Sequence, residues 1–312
     1  MRPDWIERLE LPVIAAPMFL ASSPKLVLAA CRAGIVGTFP VANARSPQEL
    51  EAWFDEIEQG LADDPSAAPF GVNIVLARPA RADPLLDVCV RRKPPLIITS
   101  IGDPRDLTQQ AHGWGGSILH DVTTVRHAEK AAEAGVDGLV LVCAGAGGHS
   151  GAVSPFALTP QVRARFDGLI VLAGSISDGQ SILAAEALGA DLVYMGTRFL
   201  ATDESRASDA YKAMMIAAET KDVLYTPSIS GLPANFLRQS IQAVGLDPGN
   251  LPAPKGLEVR DLPDGVQPWR DVWSAGQGVG LIDDIPSVSG LVARLALEYS
   301  AAKRRFRKVP TS

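Results

Sequence analysis

Few cysteines, few aromatics, no excess of positive charge and no long apolar run mark this sequence, and each shortage removes a class of protein. Only Cys31, Cys89 and Cys143 occur in 312 residues, without CxxC spacing, which argues against a disulfide framework or structural zinc and fits a reducing compartment. Lys plus Arg number 29 against 35 Asp plus Glu, and the basic tail Lys303-Arg304-Arg305 is short, so there is little electrostatic footprint for nucleic acid. Met1 to Glu10 is charged throughout, and no window approaches the length needed to cross a bilayer. Histidine pairs at HxxxH spacing, EF-hand spacing and clustered carboxylates are missing too, so no metal is expected. The expectation is a soluble cytoplasmic protein without nucleic-acid or membrane partners. Oligomeric state leaves no mark in the sequence.

What is present is a repeated alternation of short apolar runs and alanine-rich amphipathic stretches. The runs Val13 to Ala16, Ile35 to Phe39, Phe70 to Leu76, Leu96 to Ser100, Ser117 to His120, Leu139 to Cys143, Leu169 to Ala173 and Leu192 to Met195 read as strands buried on both faces. Helical stretches lie between them, at Pro24 to Ala33, Pro47 to Gln59, Pro84 to Arg92, Pro104 to Ala111, Thr124 to Ala134, Thr159 to Phe166 and Gly179 to Leu188. Strand-then-helix units joined by crossovers imply a parallel sheet, and a count of eight predicts an α/β fold closed as a (β/α)8 TIM barrel. After Thr202 the rhythm changes. Tyr211 to Thr220 reads helical, Pro, Gly and polar residues thicken from Thr226 to Gln277, and a last helix is expected over Ser287 to Ala302 with Leu291, Leu295 and Leu297 on its apolar side. This predicts a barrel over 1–205, an insertion over 206–285 across the barrel mouth, and a final helix and tail over 286–312.

In such a barrel the strand carboxyl ends converge, so residues distant in sequence become neighbours there. Ala16, Pro17 and Met18 follow the first strand, Asn73 lies in the third, and Ser100 and His120 close the fourth and fifth; all six are candidates to contact a cofactor, His120 either by facing it or by orienting the loop. The sixth runs into a turn with Gly145, Gly147, Gly148 and Gly151, whose single ionisable side chain is His149. That turn reads as a catalytic loop; a plain tight turn bearing a solvated histidine is the alternative. Gly174-Ser175 and Gly196-Thr197 follow the last two strands, each a glycine then a hydroxyl ahead of a helix start, with Ser177 and Asp178 as N-cap candidates. Loops at this place commonly hold a phosphate on backbone N–H groups, so a phosphorylated ligand is expected. Asp121 is expected to cap the next helix.

Taken jointly, Ala16-Pro-Met18, Gly71-Val-Asn-Ile74, Ala146-Gly-Gly-His-Ser-Gly151, Leu172-Ala-Gly-Ser-Ile176 and Met195-Gly-Thr-Arg-Phe199 resemble the signature positions of the nitronate monooxygenase family. The likeness runs from Leu11 to Thr202 and resumes at Gly280 to Leu297, while Ser230 to Leu237 matches only loosely. The resemblance implies an FMN-binding barrel with a smaller, mainly helical second domain. It implies further that Pro17, Met18 and Asn73 border the isoalloxazine, that Gly147, Gly148, Gly174, Ser175, Gly196 and Thr197 hold the ribityl chain and phosphate, and that His149 is the active-site histidine.

The function expected is oxidation of a small-molecule alkyl nitronate with O2. Two rivals stand beside it: an NAD(P)H-dependent FMN reductase acting on an enoyl thioester or quinone, and a flavin-free barrel lyase or isomerase gripping a sugar phosphate. The last is disfavoured by the lack of a lysine or paired carboxylates at a strand end.

Overall fold

A computed structural model of the chain describes residues 3–76, 83–253 and 262–307. Its centre is a closed parallel barrel formed by β1 (Val13–Ala15), β2 (Val36–Pro40), β3 (Phe70–Val75), β4 (Leu96–Ser100), β5 (Ser117–Val122), β6 (Gly138–Val142), β8 (Leu169–Ala173) and β9 (Leu192–Met195), with β9 pairing back onto β1. A short extra strand, β7 (Gly148–His149), lies in the loop after β6. The eight expected strands are the eight barrel staves, their ends displaced by a residue or two.

Alternation along each strand divides the apolar residues into two layers. Ile14, Val36, Ile98, Leu119, Val140, Val171 and Leu192 fill the barrel interior. Their sequence neighbours Val13, Ile97, Ile118, Leu139, Ile170 and Val193 face outward into the layer beneath the helices. That outer ring comprises α1 (Pro24–Arg32), α2 (Pro47–Leu61), α3 (Pro84–Arg92), α4 (Arg105–Gly113), α5 (Val125–Glu133), α6 (Pro155–Arg163), α7 (Gly179–Ala187) and α11 (Val288–Arg307). Four of them begin with proline at the first turn, where the missing N–H costs nothing. The 3-10 turn Asp4–Arg8 sends Trp5 and Ile6 into the interior cluster. Because this turn packs with the interior residues, the carboxyl ends of the strands are left as the open face. Among the described residues no helix is long and apolar enough to cross a membrane.

Three local expectations are corrected. Helix α6 starts at Pro155, four residues ahead of Thr159, and carries Pro160 inside it. Leu297 is 71% exposed; it stands two residues past the buried Leu295, which on a helix turns it to the opposite side. Asp121 does not cap α5, because Thr124 does so by accepting from the His127 amide.

Between α8 (Thr197–Leu200) and α11 lies the insertion, and its described residues are not mainly helical. They contain α9 (Asp209–Ala217), β10 (Val223–Thr226), β11 (Ala234–Leu237) and α10 (Arg238–Ala243). The organising element is an antiparallel sheet in the order β10-β11-β7. A small core of Ile229, Ala234, Phe236, Ile241 and Val272 supports it. Part of the polar stretch, 254–261, lies outside the described residues.

Candidate active site

The open end of the barrel holds a cavity of about 1410 Å³, mostly apolar, lined by all thirteen residues singled out above: Ala16, Pro17, Met18, Asn73, Ser100, His120, Gly147, Gly148, His149, Gly174, Ser175, Gly196 and Thr197. Ligand clefts usually run from about 300 to about 1,000 Å³, so this one has room for a cofactor and a substrate together.

On one side the loops after β6, β8 and β9 converge. Gly174 has φ +135, and a Cβ there would come within 2.8 Å of the Ala144 carbonyl oxygen. Ser175 follows with φ 55, a conformation a non-glycine residue adopts at a cost. The strained turn leaves the Ser175 and Ile176 amides without a partner among the described residues. Helix α7 does not supply the anion site expected of it. Asp178 caps it, accepting from Ser181 N at 2.7 Å, and the Gly179 amide donates to Glu298 at 2.9 Å, so acids already occupy that terminus.

A fourth segment, absent from the sequence-based site, closes this corner. The Gly276 amide donates to Thr197 Oγ1 (2.9 Å) and the Gln277 amide to the Gly145 carbonyl (2.9 Å). A Cβ on Gly276 would lie 2.7 Å from that same carbonyl oxygen. Thr197, accepting from a backbone amide, keeps its own proton to donate into the cavity. The signal was present as the run Gly276-Gln-Gly-Val-Gly280, but it stood in a polar stretch whose position over the rim no periodicity could fix.

His149 is held by the insertion. Its strand β7 pairs with β11, Ala234 opposite His149 and Asn235 opposite Gly148. Asn235, buried, donates to the Ala146 carbonyl (2.7 Å) and to Ser150 Oγ (3.2 Å). Ser274 Oγ accepts from the Gly148 amide (2.6 Å) and donates to the Asn235 carbonyl (2.7 Å). Removing the amide with Asn235→Ala leaves a buried carbonyl unpaired; the expected loss is about 1–3 kcal/mol, measured by chemical denaturation.

The imidazole stands edge-on to Trp269, ring centres 5.1 Å apart, and its Nε2 is 3.3 Å from Ser230 Oγ. Ser230 spends its proton on the Leu232 carbonyl at 3.0 Å, so toward the imidazole it accepts. Nε2 therefore carries the hydrogen and Nδ1 keeps the lone pair. Desolvation holds the His149 pKa below its ordinary value, leaving a neutral base at physiological pH.

His120 belongs elsewhere. It alternates with Ile118 and Val122 on the outward face of β5, its Nδ1 lies 2.7 Å from Thr99 Oγ1, and burial lowers its pKa to about 4. It still lines the cavity, from outside the barrel axis, where the charges of Asp103 and His127 act on it. The inward residue is Asp121. Asn73 donates to Ser100 Oγ (2.9 Å), and Ser100 donates to Asp121 Oδ2 (2.5 Å).

A closed barrel whose open end brings a glycine-lined, hydroxyl-bearing rim and a neutral histidine onto one large cavity has the architecture of a barrel enzyme. The nitronate monooxygenase family model matches residues 5–298, and the chain belongs to that family and is an oxidoreductase. A nitronate monooxygenase of Paraburkholderia phytofirmans is 27% identical, covering 96% of this chain and 95% of its own. An octahydro-indene carboxyl-CoA dehydrogenase of Rhodococcus jostii is 30% identical over 74% of this chain and 63% of its own. The nitroalkane oxidase of Streptomyces ansochromogenes superposes with a TM-score of 0.82 at 25% identity, covering 96% of this chain and 99% of its own.

Proposed function

We propose that this chain is an FMN-dependent enzyme that oxidises alkyl nitronates with O2. The observation that carries the reading is the placing of a neutral histidine base and a glycine-and-hydroxyl cradle on one cavity. The residues fit the cofactor: the Gly174 and Gly276 positions admit no Cβ, and amides and hydroxyls converge where a phosphate needs donors. FMN, when bound, supplies the electron acceptor and the reaction with oxygen.

Gly147, Gly148, Gly174, Ser175, Gly196 and Thr197, joined by Gly276, would hold the phosphate and ribityl chain. Ala16, Pro17, Met18, Asn73 and Ser100 would border the ring. His149 would take the α-proton of a nitroalkane at Nδ1, releasing the nitronate, or, once protonated, hold a nitronate anion supplied as such, with Ser230 fixing the tautomer. Trp269 excludes water from one edge of that imidazole.

A second reading, an NAD(P)H-linked reductase of an enoyl thioester or quinone, is favoured by two observations. The cavity offers more space than a small nitronate needs, and the Rhodococcus relative is named for a CoA thioester. Anaerobic mixing of the flavin-loaded protein separates the two. Bleaching by a nitronate alone supports the monooxygenase; bleaching by NAD(P)H and not by the nitronate supports the reductase. A colourless protein that takes up no flavin would refute both.

A further inference from the structure

Inside the barrel mouth, on β5 next to the strand that carries the His149 loop, one half-buried acid has no assigned task. Asp121 projects inward from β5, as its alternation with the interior residue Leu119 requires. Its Oδ2 accepts from Ser100, while its Oδ1 is buried without any partner among the described residues. Across the barrel the Tyr194 hydroxyl, from β9, is likewise buried and unpartnered. Both side chains line the cavity. Two such groups at one place call for an explanation, and a water, an ion or a ligand at the barrel mouth would each supply one.

Resting on the FMN reading above, we propose that Asp121 is a cofactor-contacting acid: it meets the flavin ring from the barrel side, opposite the His149 side, and exchanges a proton as the ring's surroundings change. A ligand anchored by its phosphate at the β8 and β9 loops spreads across the mouth toward β3, β4 and β5. Asn73, Ser100 and Asp121 form a continuous polar chain on those strands. Their order, amide to hydroxyl to carboxylate, ends on an acid that lines the cavity.

The charged neighbours are few, which isolates the acid. Tyr194 is the titratable group facing it within the barrel, and burial keeps that phenol neutral far above physiological pH. Strands β4 and β3 present only Ser100 and Asn73. Strands β6 and β8 present Val140, Val142, Val171 and Ala173. His120 lies on the far side of β5. Burial raises the Asp121 carboxyl to about 7, opposed only by the Ser100 hydrogen bond, so the acid changes charge close to physiological pH.

The test is a pH titration of the FMN-loaded protein read by the visible absorption of the bound flavin, which needs no turnover. The wild type is expected to show one spectral transition near pH 7, retained in His149→Ala. Asp121→Asn should bind FMN and lose the transition. Ser100→Ala, lacking the bond that favours the ionised form, should move it to higher pH. An unchanged transition in Asp121→Asn, or none in the wild type, overturns the proposal. Should Asp121→Asn not fold, an unmoved transition in Ser100→Ala overturns it equally. A wild type that binds no FMN refutes the functional reading itself, a result distinguishable from the others by its lack of colour.

Discussion

His149→Ala should keep its flavin and lose about 10²- to 10⁴-fold in turnover, the usual worth of a positioned acid–base group. The flavin is retained because the cradle is built from Gly174, Ser175, Thr197 and Gly276, none of which needs the imidazole for its hydrogen bonds. The acid limb of the wild-type rate profile follows from the same environment. Desolvation disfavours the imidazolium, so the basic form persists below the ordinary histidine value of about 6.5. With a nitroalkane, whose α-proton the base must remove, the rate should fall only as pH drops through that lowered pKa. Stopped-flow rates across pH, on the wild type and on His149→Ala, provide the check. Full turnover in the variant would take the histidine out of the reaction.

Gly174→Val should abolish cofactor retention while leaving the barrel assembled. The glycine's φ of +135 belongs to a region that side chains rarely enter, and the new Cβ would press on the Ala144 carbonyl at 2.8 Å and lie 3.4 Å from the Cys143 side chain. Backbone strain of this kind costs on the order of 1–3 kcal/mol. The turn would relieve it by moving, and the Ser175 and Ile176 amides move with it. At about 1.4 kcal/mol per tenfold, a loss of one to two orders in FMN affinity is the least expected. The measurement is flavin content after gel filtration, with far-ultraviolet circular dichroism as the control for folding.

The barrel was legible because strands such as β8, set between Gly168 and Gly174, are buried on both faces, so their apolar runs stand out without alternation. The cradle was legible for a related reason: Gly174-Ser175 and Gly196-Thr197 immediately follow strands, where chain direction alone puts them at the rim. What the sequence hid depends on pairing across long separations. Nothing local to Gly148 and His149 announces a strand, because two residues have no periodicity, and their partners Asn235 and Ala234 lie 87 and 85 positions away in the sequence. His120 and Asp121 were exchanged for a different cause. Adjacent residues on a strand face opposite ways, and the end of a run does not reveal which parity points inward. The structure assigns the outward face to His120 and the inward one to Asp121.

The claim on which the rest depends is that the rim loops grip a flavin by its phosphate. Binding of FMN and of riboflavin to the flavin-free protein, compared by fluorescence quenching, tests it most directly, since the two ligands differ only in that group. FMN should bind about a hundredfold more tightly, near 2.7 kcal/mol. Equal affinities, or no binding of either, would contradict the account.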